Sequence, residues 1–426
     1  MLRTDVLKND LQKQIHTDLL TDIYVDSTRI PYQTKRYIDA ITAYENHFGI
    51  DEVEIYSAPG RSEIGGNHTD HQHGEVLAAS INNDAIAIVK ALDEPIVKVI
   101  SDGYDLITIS LENLAKIPEE EGTTISLIKG VLAGLVEHGH KIGGFQAYIT
   151  SDVLIGAGLS SSAAFETIIG TIISGLYNDM SISAIEIAII GQYAENIYFG
   201  KPCGLMDQMA CSVGSLVHIN FANPGDPIVE RVEFDLDAHG YSLCITDTKG
   251  SHADLTPDYA AIPAEMKAAA ACFGKEVLGE VSKEEILSNL NVIREKVNDR
   301  AALRAIHFVY ENERVQKEVT ALQEDQFDTF LQTVKESGDS SYKYLQNVYT
   351  CHDIEHQNVS IALALSDILL KENGVSRVHG GGFAGTIQAF VKNDAVAEYK
   401  QGMEALFGEG ACDVLKIRKY GGMKVL

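Results

Sequence analysis

The stretch DVLIGAGLSSSAAFE, residues 152–166, decides how the chain is read. A short apolar run enters a Gly156-Ala157-Gly158 turn, and Leu159 leads into Ser160, Ser161 and Ser162, which open an alanine-rich helix. Such a strand, turn and helix expose unpaired backbone N–H groups at a helix N-terminus. Those donors and the macrodipole attract phosphate, and the serine hydroxyls add donors or magnesium ligands. The stretch has the form of a nucleotide-phosphate cradle. Neither familiar nucleotide motif fits it: the chain has no G-x-x-x-x-G-K-[ST], and this G-x-G lacks the further spacing of the dinucleotide fold.

The surrounding texture gives the cradle its setting. Residues 1–48 read as polar, helix-prone segments forming an N-terminal helical extension, with Gly49 as a C-cap after TKRYIDAITAYENHF. From 52 to about 112, short β-branched runs split by turn residues read as strands and hairpins. Helical periods return in ISLIKGVLAGLVEHG and SAIEIAIIGQYAENIYFG, strand signals in SLVHINF and YSLCITDT, and 260–347 is mostly helical. At 426 residues the chain exceeds one ordinary core, and roughly 100–200 residues per domain favours a division. The expected units are 1–48, an N-terminal lobe over 49–210 and a C-terminal lobe over 211–426.

Composition excludes several functions. With 34 Lys+Arg against 61 Asp+Glu the net charge is −27, which repels nucleic acid and anionic membranes. Any anionic substrate then needs local donors or a cation. Six scattered cysteines without CxxC pairs indicate reduced thiols, and no run reaches about 18 apolar residues. With no secretory signal at the N-terminus, a cytoplasmic protein without membrane or nucleic-acid partners is expected, and a monomer.

Three separated stretches, APGRSEIGGNHTD (58–70), VLIGAGLSSSAAFE (153–166) and RVHGGGFAGT (377–386), together resemble the GHMP kinases, and within them the galactokinases. CGLMDQ (203–208) tightens that likeness, which runs from about 50 to 426. The resemblance implies an α+β, two-lobed GHMP kinase fold: an N-terminal lobe like ribosomal S5 domain 2, a ferredoxin-like C-terminal lobe, and ATP and a sugar bound between them. It also implies phosphoryl transfer from ATP to a hexose's anomeric hydroxyl, with galactose the first expectation and ATP and Mg²⁺ as cofactors.

Carried over position by position, Asp207 matches the family's acidic residue beside the sugar's C1 hydroxyl, and Arg61 the arginine beside the transferring phosphoryl group. A carboxylate suits proton acceptance and a fixed guanidinium suits developing charge. Ser162 and Glu195 match the magnesium-holding hydroxyl and carboxylate. Gly156 to Ser162, with Gly381 and Gly382 pressing backbone close, are the implied nucleotide residues. Asn67, His68, Asp70, Gly204 and Tyr259, the last in SHADLTPDY, are the implied sugar contacts.

The departures matter as much. Asn67 stands where the family has glutamate contacting the sugar's C6 hydroxyl, so a 6-carboxylate sugar such as galacturonate is an alternative substrate. Ser62-Glu63-Ile64-Gly65, Leu154, His379 and Gly338 also depart from the pattern, and a non-catalytic sugar sensor on the same fold is a further alternative. From another class, HTDHQH with His68, His71 and His73 around Asp70 raises a zinc hydrolase, though its spacing differs from the usual H-x-H-x-D-H.

Overall fold

In the computed structural model, residues 2–153, 158–251 and 255–426 are described. Among them, nine strands form one mixed sheet and four form a second. The path through the first is Leu2–Arg3, Glu52–Gly65, Glu75–Leu92, Gly144–Ser151, Ile96–Ser101 and Ile107–Ser110. Leu216–Asn220 pairs with the first part of Glu75–Leu92, on the edge whose later part takes Gly144–Ser151, and carries Ile228–Val232. The second sheet runs Gly374–Val378, Thr386–Lys392, Tyr241–Asp247, Cys412–Leu415, antiparallel throughout.

The first sheet is covered on both faces, which is why its strands read as nearly continuous apolar runs. Tyr56, Ala58, Ala85, Ala87, Val89, Phe145, Ala147 and Ile149 share a core with the helices Thr124–Glu137, Ser161–Asn178 and Ala184–Tyr193. Their alternates Ile55, Ile86, Ile88 and Tyr148 pack on the N-terminal extension, whose helices Thr4–Gln12, Thr17–Tyr24 and Ile30–Phe48 supply Leu7, Leu20, Tyr37 and Tyr44. The period of two thus sorts one strand between two layers.

A buried carboxylate locks the extension down. Asp84 accepts hydrogen bonds from Arg36 at 2.6 Å, Tyr24 at 2.9 Å, Arg418 at 2.9 Å and Ser57. Two guanidiniums and two hydroxyls satisfy a charge that would otherwise be costly to bury.

Sheet membership differs from the expected division at 210. Leu216–Asn220 and Ile228–Val232 pair within the first sheet, and the chain enters the second only at Tyr241. It also returns, because Met423 and Lys424 pair with Ser57 and Tyr56. Partners of short strands are chosen by long-range packing, which periodicity does not encode. Among the described residues, no helix is long and apolar enough to cross a membrane.

Candidate functional site

The strand Glu52–Gly65 carries the first functional side chains, and its pairing with Glu75–Leu92 shifts register between Pro59 and Arg61. Such a bulge re-aims the residues beyond it. A Cβ on Gly60 would lie 2.8 Å from the Leu159 carbonyl, so only glycine admits the serine turn this close. The Arg61 N–H then donates to that carbonyl at 3.1 Å. From this point Arg61 Nε reaches Asp207 Oδ1 at 2.7 Å, its Nη2 lies 2.7 Å from the same oxygen, and Nη1 donates to the Gly158 carbonyl.

Asp207 stands in the first turn of the Met206–Val213 helix. Its other oxygen accepts from the Ser160 hydroxyl. Ser160 has φ +57°, a left-handed conformation uncommon for a residue with a side chain. At the N-cap of the Ser161–Asn178 helix its hydroxyl caps no helical N–H and turns to Asp207 instead. Arg61 is buried while the Asp207 side chain is 31% exposed, leaving the carboxylate open on one side. Burial alone would lower the arginine's pKa, but the Asp207 charge and hydrogen bond outweigh it and raise it.

Next to this pair lies the candidate cation position. After the Ala184–Tyr193 helix the backbone makes a π-turn at Ala194–Phe199, a widening frequent at functional sites, and Glu195 sits in it, 2% exposed. Ser162 Oγ is 3.3 Å from Glu195 Oε1, and Lys201 Nζ lies 2.9 Å from the same oxygen. Gln208 Nε2 donates to Glu195 Oε2 at 2.8 Å and to Glu166 Oε2 at 3.0 Å. Burial first, then the Glu195 charge, pushes Glu166 well above the ordinary carboxylate range. The Ser162 hydroxyl and the Glu195 carboxylate, which already holds an ammonium, are hard oxygens that fit a magnesium ion completed by phosphate oxygens.

Among the described residues no group of three His, Cys, Asp or Glu side chains could hold a metal by itself. His68 Nδ1 instead faces His71 Nε2 at 3.3 Å, and its Nε2 meets the Gly381 carbonyl at 3.1 Å. Burial, then the neighbouring His71, lowers the His68 pKa to about 3, so the ring is neutral.

The glycine turn gathers the remaining candidates. Its three successive carbonyls accept from Asn67 Nδ2 at 2.7 Å on Gly380, His68 Nε2 on Gly381, and Tyr259 Oη at 2.7 Å on Gly382. Tyr259 also packs edge-on against Phe383, ring centres 5.3 Å apart. Gly381 and Gly382, expected at the nucleotide end, thus make these bonds to the candidate sugar residues. The turn still approaches the serine run, since a Cβ on Gly158 would lie 3.4 Å from His379. Asp70 faces Gly204, where a Cβ would come within 2.2 Å of its carboxylate. Leu154, Gly156 and Ala157 lie outside the described residues.

Sequence reading missed Gln208, Glu166, Lys201, Glu63 and Arg377. Glu166 follows Ser162 by four residues and so shares its helix face, and Gln208 adjoins Asp207; those spacings were the available signals. Lys201 had none.

Comparisons with known proteins agree with this geometry. Residues 126–215 match the N-terminal domain of the GHMP kinases, and residues 42–91 the galactose-binding signature of galactokinases. A galactokinase of Glaesserella parasuis is 31% identical over 83% of this chain and 89% of its own. One from Streptomyces coelicolor is 29% identical over 84% and 90%. Among solved structures, Lactococcus lactis galactokinase complexed with galactose superposes with a TM-score of 0.75 at 24% identity, covering 90% of this chain and 98% of that one. Methanococcus jannaschii mevalonate kinase gives 0.60 at 14%, over 86% and 98%. The two sheets, the serine turn and the extent of this sequence likeness lead to one placement: the chain belongs to the galactokinase family of the GHMP kinases.

Proposed function

We propose that the protein phosphorylates galactose at its anomeric hydroxyl, using ATP and Mg²⁺. The observation that carries this reading is the convergence of Arg61, Ser160 and Asp207 beside the Ser162–Glu195 pair. Galactokinase relatives at about 30% identity support the substrate. Bound there, Mg²⁺ would neutralise phosphate charge, with Ser162 and Glu195 as its protein ligands.

Asp207 would accept the proton of the C1 hydroxyl as it attacks the γ-phosphorus in line, and Arg61 would hold Asp207 in place and stabilise charge developing on the transferring group. The serine turn from Gly158 to Ser162 would cradle the phosphates of ATP, with Gly156 and Ala157 as further phosphate residues. Asp70 would accept hydrogen bonds from ring hydroxyls, with His68, Gly204 and Tyr259 shaping the wall around the sugar. Positioning and electrostatics supply most of the rate in such transfers.

The acid-sugar alternative requires the Asn67 amide to face the sugar. Both of its donors and its oxygen are engaged by protein groups, which removes the support for an acid sugar, and the galactokinase relatives favour galactose. The protein would act in the cytoplasm, in keeping with six unpaired cysteines. The test is ADP release with Mg²⁺ on galactose, galacturonate, glucose and N-acetylgalactosamine. Turnover of galactose to the 1-phosphate supports the reading; preference for another sugar, or silence on all four, overturns it.

A further inference from the structure

Asn67 is wholly buried, and every polar group it owns is used. An amide side chain offers two N–H donors and one oxygen. Nδ2 donates to Glu63 Oε1 at 2.9 Å and to the Gly380 carbonyl at 2.7 Å. Oδ1 accepts from Asn347 Nδ2 at 2.8 Å and Ser341 Oγ at 3.2 Å. The backbone carbonyl meets His307 Nε2 at 2.9 Å, and the backbone N–H points to Glu311 Oε1 at 3.4 Å. One residue therefore joins its loop to the Glu52–Gly65 strand, the glycine turn, the Asp299–Gln323 helix and the segment after Ser340.

Glu63, the carboxylate on this amide, is itself paired with Arg377 Nη2 at 2.9 Å, and Arg377 Nη1 binds the Ile64 carbonyl. The Glu63 side chain is 5% exposed and that of Arg377 fully buried. The arrangement has a strict polarity: position 67 must donate twice and position 63 must accept. Two carboxylates there would face each other beside one guanidinium, buried from the solvent that would weaken the repulsion.

We propose that Asn67 is a positioning residue that docks the 66–74 loop onto the glycine turn, and that Glu63 and Asn67 work as a coupled carboxylate–amide pair. The proposal rests on the kinase reading for its consequence in catalysis. His68 follows directly and is fixed on Gly381, and Asp70 follows it against Gly204, three residues before Asp207. Slackening at 67 therefore moves the groups assigned to the sugar and leaves the serine turn alone.

Two measurements on the full chain test this. In steady-state kinetics, Asn67→Ala should raise the galactose KM about tenfold with the ATP KM nearly unchanged, the cost of several lost buried hydrogen bonds. Asn67→Glu should do worse, and adding Glu63→Asn to it should restore about tenfold of that loss or more, a non-additivity expected only of touching partners. In hydrogen exchange without sugar, Asn67→Ala should speed exchange in 66–74 and 380–383 while the 158–166 helix start stays protected. Should Asn67→Ala not fold, Ser341→Ala, which removes one bond to Oδ1, should give the same exchange pattern in milder form.

Unchanged exchange in both segments, an Asn67→Glu single variant that binds galactose as well as the parent, or a double variant no better than that single one overturns the proposal. If the parent turns over no sugar, the kinase reading fails, and hydrogen exchange still decides whether Asn67 docks the loop.

Discussion

Two arginine–carboxylate pairs, two strand positions apart, serve opposite ends. Arg61 and Asp207 meet at 2.7 Å, Arg377 and Glu63 at 2.9 Å, so length does not separate them. Exposure does: the Asp207 side chain is 31% open to solvent, the Glu63 side chain 5%. A carboxylate proposed to take a proton from a bound molecule has to keep a face free, whereas one that fixes architecture is best sealed among donors. The first pair borders the serine turn; the second is knotted into Asn67, the Ile64 carbonyl and the glycine turn.

The sharpest way to break the contrast is at the open pair. Asp207→Asn keeps the shape and removes the proposed proton acceptor, so kcat should fall by about a thousandfold, within the usual range for general-base loss, while ATP binding measured by calorimetry stays near normal. A variant with near-normal turnover would reduce Asp207 to an ordinary partner of Arg61.

Removing each arginine in turn probes the same contrast through stability. Arg377→Met leaves Glu63 buried without its cation and should cost about 3–5 kcal/mol in urea unfolding. Arg61→Met should cost clearly less, because the half-open Asp207 can recover solvent, yet it should lose far more activity per unit of stability. Equal losses of stability would show that exposure does not distinguish the pairs.

The open pair was legible in the sequence and the sealed one was not, for a physical reason. The family resemblance carried Arg61, Ser160, Ser162, Glu195 and Asp207 over position by position, and they stand on a bulged strand, a serine turn, a π-turn and a helix start. The departures Ser62, Glu63, Gly65, Asn67, Gly338 and His379 look unrelated along the chain, yet the fold brings them into one web. Ser62 Oγ lies 3.1 Å from His379 Nε2, and the same nitrogen accepts from the Glu63 N–H at 3.3 Å. A Cβ on Gly65 would meet Glu318 at 1.9 Å, and one on Gly338 would meet Arg377 at 2.9 Å. These departures make room for, or partner, buried groups from distant segments, information that exists only between those segments. The same limit hid the return of residues 423–424 to the first sheet and the anchoring of the extension on Asp84.

The smallest expected effect tests whether the sealed pair is as dry as its geometry implies. Burial pushes the Glu63 carboxyl up from its ordinary 4.5 to about 7, against the opposing pull of Arg377 and Arg61. For an acid with a raised folded pKa, the folded chain holds more protons than the unfolded one between those two values. Glu63 therefore makes stability fall as pH rises from about 4.5 through about 7, with no further loss above. In Glu63→Gln that part of the slope should vanish, so urea midpoints of the two proteins, followed from pH 5 to 8, should converge toward low pH and separate toward high pH in the variant's favour once any constant offset is removed. Parallel midpoints would mean that Glu63 is ionised throughout, and that Arg377 and Asn67 hold a charge the fold accepts, not a carboxyl that burial keeps near its titration point.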